Sequence, residues 1–396
     1  MKNLVTETML MPVYATRFAC TGGACEDTCC QGWTVTLDKK SFLQYQSTPD
    51  PILRPLVARH VQRNPESRSA DDYGCIKLCE DAGRSCPFLN EARLCLLYER
   101  LGEKALSSTC ADYPRGVFRI GDLHQLTLSL SCPEAARQAL LREDAFELVG
   151  HPHTVNSETV LPVTPKFGLT VETMDEVRTL NYQLLQSRNI PVEDRLKLVG
   201  LFCSRLEERL RIRKLGSVPQ LVAEFDADLK SGAALAVVRG ERPSAQAQLV
   251  AALFAEGRKI AHSPHADAVL DEIARGWGIQ QGRCPEGDEL AQTFEAGLAR
   301  LEPALAAIPW LLEHFLLNEA LREYFPWSCG SPWQHYKWLT VRFALTRFML
   351  VGRAMAQETP LTSEELAETV QVSCRCFAHN GEAFHRFERV IFQGFV

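Results

Sequence analysis

Cysteine is crowded into the first third of this 396-residue chain, which holds ten of the 15 cysteines. Four of them occupy eleven positions within CTGGACEDTCCQGW (residues 20–33), where Cys29 and Cys30 are adjacent. Thiols at this density form disulfides in an oxidising compartment, whereas in a reducing one they bind zinc or iron. The surrounding sequence must therefore distinguish among three kinds of site.

The compartment is the first criterion, and it disfavours disulfides. The first twenty residues contain no apolar stretch as long as a secretory leader requires, and Glu7 interrupts the best candidate. No run of eighteen apolar residues predicts a transmembrane helix. We therefore expect a cytoplasmic protein with no membrane partner, in which structural disulfides are rare. The odd number of cysteines agrees with that expectation.

The spacing of the cysteines is the second criterion, and it distinguishes a zinc site from an iron–sulfur cluster. Zinc sites favour Cys-x2-Cys pairs, but four residues separate Cys20 from Cys25, and three separate Cys75 from Cys79. An iron–sulfur cluster accepts thiolates from loops and helix ends at less regular spacing. We therefore favour a cluster and keep zinc as the alternative. The ten cysteines of this region are Cys20, Cys25, Cys29, Cys30, Cys75, Cys79, Cys86, Cys95, Cys110 and Cys132.

Charge and motifs exclude several other classes of protein. The chain has 43 basic and 49 acidic residues, a net charge of −6, and no basic tract of the kind that binds nucleic acid. It also lacks the glycine-rich phosphate loops of Rossmann and P-loop proteins. The Cys-x3-Cys-x2-Cys loop of radical S-adenosylmethionine enzymes is absent as well. We expect no nucleic-acid partner and an unusual scaffold for any catalysis.

The elements that position the cysteines are predicted to be short and mixed. Alternation predicts a strand over 32–37, followed by a helix with Asp38 at its N-cap. Leucine spacing predicts a helix over 90–102, and alternation around a Gly-Asp turn predicts a β-hairpin over 117–130. A further helix is predicted over 132–143, with a proline in its first turn. This part of the chain, residues 1–150, is thus expected to be a cysteine-rich α+β metal-binding domain.

The remainder of the chain is predicted to be helical. Three prolines in 151–168 are typical of a linker, and residues 169–396 are expected to form an irregular helical bundle. The fold class is therefore mainly α. Apolar residues at three- and four-residue spacing predict helices near 191–216, 218–230, 245–262, 265–276, 288–304, 307–323, 333–356 and 362–378.

Four segments give the chain a resemblance to a known family. TCCQGW, CPFL, CLLYERLG and STCADYPR place a Cys-Cys pair, then Cys-Pro-Phe-Leu, then a cysteine separated from the previous one by eight residues, then a cysteine before Tyr-Pro-Arg. We call this order and spacing of cysteines the frame. In it the chain resembles the flagellin lysine N-methylases, which belong to a wider group with a cysteine-rich iron- or zinc-chelating domain. The cysteines that match the frame are Cys25, Cys29, Cys30, Cys86, Cys95 and Cys110.

The resemblance implies a function and two cofactors. It implies transfer of a methyl group from S-adenosylmethionine to the ε-amino group of surface lysines on flagellin. It also implies a [4Fe–4S] cluster held by four thiols from the six matching cysteines, of which Cys29 and Cys30 need not both bind, with Cys20 as a seventh candidate and zinc as the alternative metal. A non-catalytic iron–sulfur or zinc protein, acting in redox or partner binding, is the competing hypothesis.

Methyl transfer to an amine requires a neutral lysine and a site for a cationic donor. Tyr113 and Asp27 lie next to matching cysteines and are the catalytic candidates, because either can interact with the lysine proton. Trp33 is the candidate for contact with the sulfonium through its π face, and Arg115 for holding the donor carboxylate. Support of the cysteine loops alone is the competing role for these four residues.

Overall fold

The computed structural model describes residues 4–80, 83–239, 246–258, 263–279 and 287–378. Its secondary structure follows the predicted division into an α+β part and a helical part. Among the described residues, no helix has the length and apolar character needed to cross a membrane.

A five-stranded mixed sheet forms from segments far apart in the chain. Its order is β7-β1-β6-β5-β8, with β1 antiparallel to β7 and parallel to β6. The predicted hairpin is confirmed as β5 and β6. Their antiparallel register runs from Arg115 opposite Leu128 to Ile120 opposite Leu123. The strands are β1 (Leu4–Pro12), β5 (Arg115–Ile120), β6 (Leu123–Leu128), β7 (Leu148–Asn156) and β8 (Leu161–Pro162).

The segment expected to be a linker differs from that expectation in its secondary structure. Residues 151–156 complete β7, Ser157–Thr159 form a 3-10 turn, and β8 follows. Antiparallel pairing with β1 over nine residues accounts for the extended backbone, and Pro152 is tolerated on the edge strand β7.

A second, smaller sheet has the order β2-β4-β3 and is antiparallel throughout. Asp38 caps the helix after β2 by accepting a hydrogen bond from the Ser41 amide at 2.8 Å, as predicted. The elements around this sheet are β2 (Val35–Leu37), α2 (Lys39–Gln46), α3 (Leu53–His60), β3 (Val61–Arg63), β4 (Gly74–Ile76), α4 (Leu96–Leu101) and α5 (Ser108–Asp112).

The helix predicted over 90–102 is shorter than expected, since α4 begins only at Leu96. The Asn90 side chain accepts from the Leu94 amide at 2.8 Å, and Arg93 has a φ of 59°. This turn competes with the helix, because an Asn side chain satisfies backbone groups that a helix would bond internally. Gly102 ends α4 with a φ of 80°, as predicted.

Within the described residues, the helical part confirms the predicted succession of helices; positions 245 and 259–262 of the helix predicted near 245–262 lie outside them. Ser263 and Ser331 cap α12 and α15, and Thr362 and Glu365 form a capping box on α16. A π-helical turn over Cys374–Ala378 follows α16. The helices are α1 (Val13–Thr16), α6 (Pro133–Leu140), α7 (Val171–Leu185), α8 (Val192–Arg211), α9 (Val218–Ser231), α10 (Ala233–Val238), α11 (Gln246–Gly257), α12 (Pro264–Gly276), α13 (Gly287–Ala307), α14 (Leu311–Arg322), α15 (Pro332–Ala356) and α16 (Ser363–Ser373).

Two hydrophobic cores divide the described residues. The larger core joins the five-stranded sheet to helices α6–α16, for example through Met9 and Leu128 of the sheet and Phe315 of α14. We call this part the helical body. The smaller core lies between 35 and 97, and the thiols of four frame cysteines belong to it or pack against it. We call residues 20–112 the cysteine-rich unit. The boundary near residue 150 stays a prediction about separate folding units.

Candidate functional site

Backbone hydrogen bonds bring the two arms of the cysteine sequence together. The Cys86 amide donates to the carbonyl of Cys30 at 2.7 Å, and the Gly32 amide donates to Arg84 O at 3.0 Å. The adjacent pair at the end of 20–33 is therefore hydrogen-bonded directly to the segment that carries Cys86. We call residues 20–33 the cysteine loop.

Two further frame cysteines lie at helix starts in the same unit. Cys95 is the N-cap residue of α4, and Cys110 lies in the first turn of α5, where its amide donates to Ser107 Oγ at 3.3 Å. Cys86 is buried in the smaller core, and Cys30, Cys95 and Cys110 pack against it. Thus four of the six predicted metal ligands share one small core, contributed by loops and helix ends. Cys132 packs against the larger core instead.

The buried thiols favour their protonated form. Burial raises the pKa of Cys86 to about 12, and neighbouring Cys110, Cys95 and Cys79 add to the shift. A hydrogen bond with Cys30, together with burial, raises the pKa of Cys29. Burial also raises the pKa values of Cys25 and Cys95. Metal binding by these cysteines would therefore displace protons.

Cysteine thiols are suitable ligands for iron or zinc, but the positions of these side chains do not form a complete metal site. Within the ranges that the structure describes, no group of three or more His, Cys, Asp or Glu side chains lies close enough to hold a metal ion. The thiols would have to approach one another further to share a metal. Metal ligation by Cys25, Cys29, Cys30, Cys86, Cys95 and Cys110 stays a prediction.

Asp27, one of the two predicted catalytic residues, is fully buried between the cysteine loop and the helical body. Oδ1 accepts from Ser263 Oγ at 2.6 Å, and Oδ2 accepts from Gln371 Nε2 at 2.9 Å and lies 3.2 Å from Arg375 Nε. Both carboxylate oxygens are thus engaged by donors from the N-cap of α12, from α16 and from the π-helical turn. This environment favours a structural role for Asp27 over contact with a substrate.

The other three predicted residues line one cavity. Trp33, Tyr113 and Arg115 border an open cavity of about 300 Å³ between the cysteine-rich unit and the helical body. This volume is at the lower end of those that hold small ligands. A larger cleft of about 700 Å³ adjoins it, and both are bordered by Ser108 and Thr159.

Trp33 is fixed at the wall of this cavity by two contacts. Its indole Nε1 donates to Cys29 O at 2.8 Å, and its ring centroid lies 6.1 Å from that of Tyr113. The hydrogen bond ties the orientation of the indole to the cysteine loop. Any change in the position of Cys29 would therefore change the cavity wall.

Tyr113 contributes its ring to the cavity, while its hydroxyl is already bonded. Its oxygen lies 3.0 Å from Ser131 Oγ, and burial raises the pKa of the phenol well above its usual value. The peptide bond to Pro114 is cis. The phenol therefore stays protonated at neutral pH, which makes it a poor proton acceptor.

Arg115 has its guanidinium 5.2 Å from the ring centroid of Phe18. Arg322, the last residue of α14, lines the same cavity from the helical body. Sequence reasoning did not predict Arg322, because it lies more than 200 positions from Arg115 and no local motif marks it. Arg375 was not predicted either, because no local motif marks it.

Arg375 joins the helical body to the cysteine loop. Its guanidinium donates to three backbone carbonyls of that loop, those of Asp27, Thr28 and Gln31, at 3.3, 2.9 and 2.7 Å. One side chain thus satisfies three carbonyls next to Cys29 and Cys30. The cysteine-rich unit and the π-helical turn therefore hold the candidate site in place together.

The fold and the site describe a cysteine-rich thiol unit bound to an irregular helical body. Residues 178–394, more than half of the chain, match the model of the FliB lysine N-methylase C-terminal domain. The chain therefore belongs to the FliB lysine N-methylase family. No solved structure matches.

Three curated relatives agree with this assignment. The chain is 39% identical over 141 residues to a protein named lysine-N-methylase from Salmonella typhimurium, covering 36% of this chain and 34% of the relative. A lysine-N-methylase from Salmonella choleraesuis is 38% identical with the same coverage. The flagellar biosynthetic protein FliU from Salmonella muenchen is 38% identical, covering 36% of this chain and 82% of FliU. The match thus spans about a third of the length of the two lysine-N-methylases.

Proposed function

We propose that this protein is a protein-lysine N-methyltransferase that uses S-adenosylmethionine to methylate surface lysines of flagellin. The observation that carries the proposal is the match of residues 178–394 to the FliB lysine N-methylase C-terminal domain. The names of the relatives, two lysine-N-methylases and one flagellar biosynthetic protein, support lysine as the acceptor and a flagellar substrate.

The cavity between the two parts of the chain supports a site for the methyl donor. Trp33 offers an aromatic face to a sulfonium, and Arg115 offers a guanidinium to a carboxylate. The adjoining cleft of about 700 Å³ has room for the polypeptide segment that carries the target lysine. In this proposal the donor occupies the smaller cavity and the lysine enters from the cleft.

The reaction itself makes few covalent demands on the protein. The donor supplies an electrophilic methyl group; its carbon–sulfur bond breaks, the sulfur keeps the electron pair, and the lysine nitrogen forms the new bond. The chain must align the lysine and receive its proton. Asp112 is the carboxylate among the residues that line the cavity, and we assign it the role of attracting the lysine ammonium and accepting its proton.

We further propose that the cysteine-rich unit binds an iron–sulfur cluster, with zinc as the alternative outcome. Cys30, Cys86, Cys95 and Cys110 are the best-supported ligands because they belong to or pack against one small core. No catalytic step is assigned to the metal. Metal analysis and an electron paramagnetic resonance spectrum of anaerobically purified protein distinguish iron–sulfur from zinc.

The activity is tested by incubating the purified protein with methyl-labelled S-adenosylmethionine and flagellin, followed by mass spectrometry of the lysines. We expect methyl-lysine on flagellin and a large loss of it in Trp33→Ala. Arg17→Gln, which alters an exposed ion pair with Asp144, is the matched control and should stay active. No incorporation by a preparation with its full metal content would contradict the proposal and favour the non-catalytic alternative.

A further inference from the structure

The cavity assigned above to the methyl donor has two arginines, which lie more than 200 positions apart in the chain. Arg115 belongs to β5, and Arg322 ends α14 in the segment that matches the family domain. Arginine matches a carboxylate with two parallel hydrogen bonds, and two arginines at one small cavity favour an anionic group.

Acidic neighbours hold the side chain of Arg322, but they do not engage all of its hydrogen-bond donors. Its Nη2 donates to Glu323 Oε1, while its Nε lies 3.9 Å from Glu319, beyond hydrogen-bond range. Arg342 binds the same two carboxylates, at 2.7 Å from Glu319 and 3.4 Å from Glu323. The charges of the two carboxylates, Glu319 and Glu323, therefore neutralise those of the two guanidinium groups.

Hydrogen bonding leaves donors of Arg322 available. A guanidinium has five N–H donors, and the contacts of Arg322 with described residues use one nitrogen for a hydrogen bond. Its side chain is 18% exposed and borders the cavity. Glu319 and Glu323 thus fix the guanidinium at the wall while part of its edge can receive a ligand.

We infer that Arg322, together with Arg115, binds the carboxylate of the amino-acid end of the methyl donor. This inference rests on the proposed function. It adds a binding residue from α14, so that the donor site combines Trp33 of the cysteine-rich unit with two arginines of the helical body. It also predicts selectivity: a nucleoside thioether that lacks the amino-acid carboxylate gains nothing from Arg322.

Isothermal titration with two probes tests this inference without relying on catalysis. S-adenosylhomocysteine carries the carboxylate, whereas 5′-methylthioadenosine keeps the nucleoside and the thioether but lacks it. In Arg322→Gln we expect S-adenosylhomocysteine to bind about 10- to 100-fold more weakly, with the affinity for methylthioadenosine unchanged. Arg115→Gln should give the same pattern.

Two further variants keep the outcome interpretable. Arg322→Lys replaces Arg322→Gln in this test if the glutamine variant does not fold. It retains a cation beside Glu323 but loses the planar pair of donors, so we expect an intermediate loss of affinity for S-adenosylhomocysteine. Arg17→Gln should bind both probes like the unaltered protein. An equal loss for both probes, or no loss for either, would overturn the role of Arg322. Failure of the unaltered protein to bind S-adenosylhomocysteine would count against the proposed function instead.

Discussion

Asp27 and Arg375 form a buried ion pair, with Nε 3.2 Å from Oδ2, across 348 positions of sequence. The carboxylate is inaccessible to solvent and the guanidinium side chain is 9% exposed. Because Arg375 also donates to the carbonyls of Thr28 and Gln31, this pair fixes the segment that carries Cys29 and Cys30 to the helical body.

Removing one partner of this pair should be strongly destabilising. Arg375→Gln leaves a buried carboxylate without its counter-charge and removes donors from three loop carbonyls, so we expect a loss of about 3–5 kcal/mol in the free energy of unfolding. Arg17→Gln breaks an exposed pair that water and salt screen, and should cost far less. Urea denaturation of both variants measures the difference, and equal costs would show that Arg375 is not an anchor.

The long range of this contact explains what the sequence alone could and could not predict. Periodicity and capping residues predicted the helices from 191 to 378 and the hairpin of β5 and β6, because those signals lie within the element. The strand β1 was not predicted, since its partner β7 lies more than 130 residues away. Arg322 and Arg375 were missed because an arginine carries no local sign of the cavity or loop that folding brings to it.

The cavity residues were predicted only in part, and for a similar reason. Arg115 was selected because a guanidinium can hold a carboxylate, and Trp33 and Tyr113 because they neighbour cysteines; folding places all three at one cavity. Asp27 was selected by the same criterion, but its neighbours from the helical body give it a buried environment. Proximity in sequence to a cysteine does not determine on which side of the loop a side chain lies.

The cysteines of the smaller core should control metal content. Cys86→Ala and Cys110→Ala each remove a thiol from this core, and we expect both variants to lose iron, or zinc if that is the native metal, together with any visible absorption. Cys203→Ala is the matched control, because Cys203 is a fully buried thiol in the helical body. Metal analysis provides the readout. Full metal content in both core variants would exclude these ligands.

The hydroxyl of Tyr113 should be dispensable for methyl transfer. It is bonded to Ser131, and the raised pKa keeps it protonated, so Tyr113→Phe should change the rate of lysine methylation by no more than about threefold, against about 100-fold or more for loss of a general acid or base. Asp112→Asn should reduce the rate much more at unchanged affinity for S-adenosylhomocysteine. A larger effect in Tyr113→Phe than in Asp112→Asn would reverse these roles.

His335 should make the protein less stable as the pH falls from neutrality. It is buried against Phe325, and burial lowers its pKa to about 4, from about 6.5 when unfolded. Because the unfolded chain binds this proton first, stability is lost as the pH falls from about 6.5 towards 4. His314 shifts in the same direction, whereas contact with Glu368 raises the pKa of His265 and acts in the opposite one.

A variant isolates the contribution of His335 from that of the other histidines. In His335→Gln the decrease in the free energy of unfolding between pH 7 and pH 5 should be smaller by about 2 kcal/mol than in the unaltered protein. Urea titrations at the two pH values give this difference. Identical pH dependence in both proteins would mean that folding does not lower the pKa of His335.

Gly352 allows α15 to approach α12, and alanine there should disturb the larger core. A Cβ at this position would lie 2.4 Å from Cδ1 and Nε1 of Trp277. Trp277 cannot move aside easily, because it is buried, stacks on Phe348 at a centroid distance of 4.1 Å, and donates to Phe348 O at 3.0 Å.

Two opposing effects decide the outcome of Gly352→Ala. Alanine favours a helix over glycine by about 1 kcal/mol, whereas overpacking a core costs about 1–3 kcal/mol. With a contact of 2.4 Å against a fixed indole we expect the clash to dominate and the free energy of unfolding to decrease. Gly216→Ala, where no heavy atom lies within 4 Å of the new Cβ, should be neutral or stabilising. Stabilisation by Gly352→Ala in the same urea titration would mean that the indole relaxes and that the two helices are not held at this distance by the glycine.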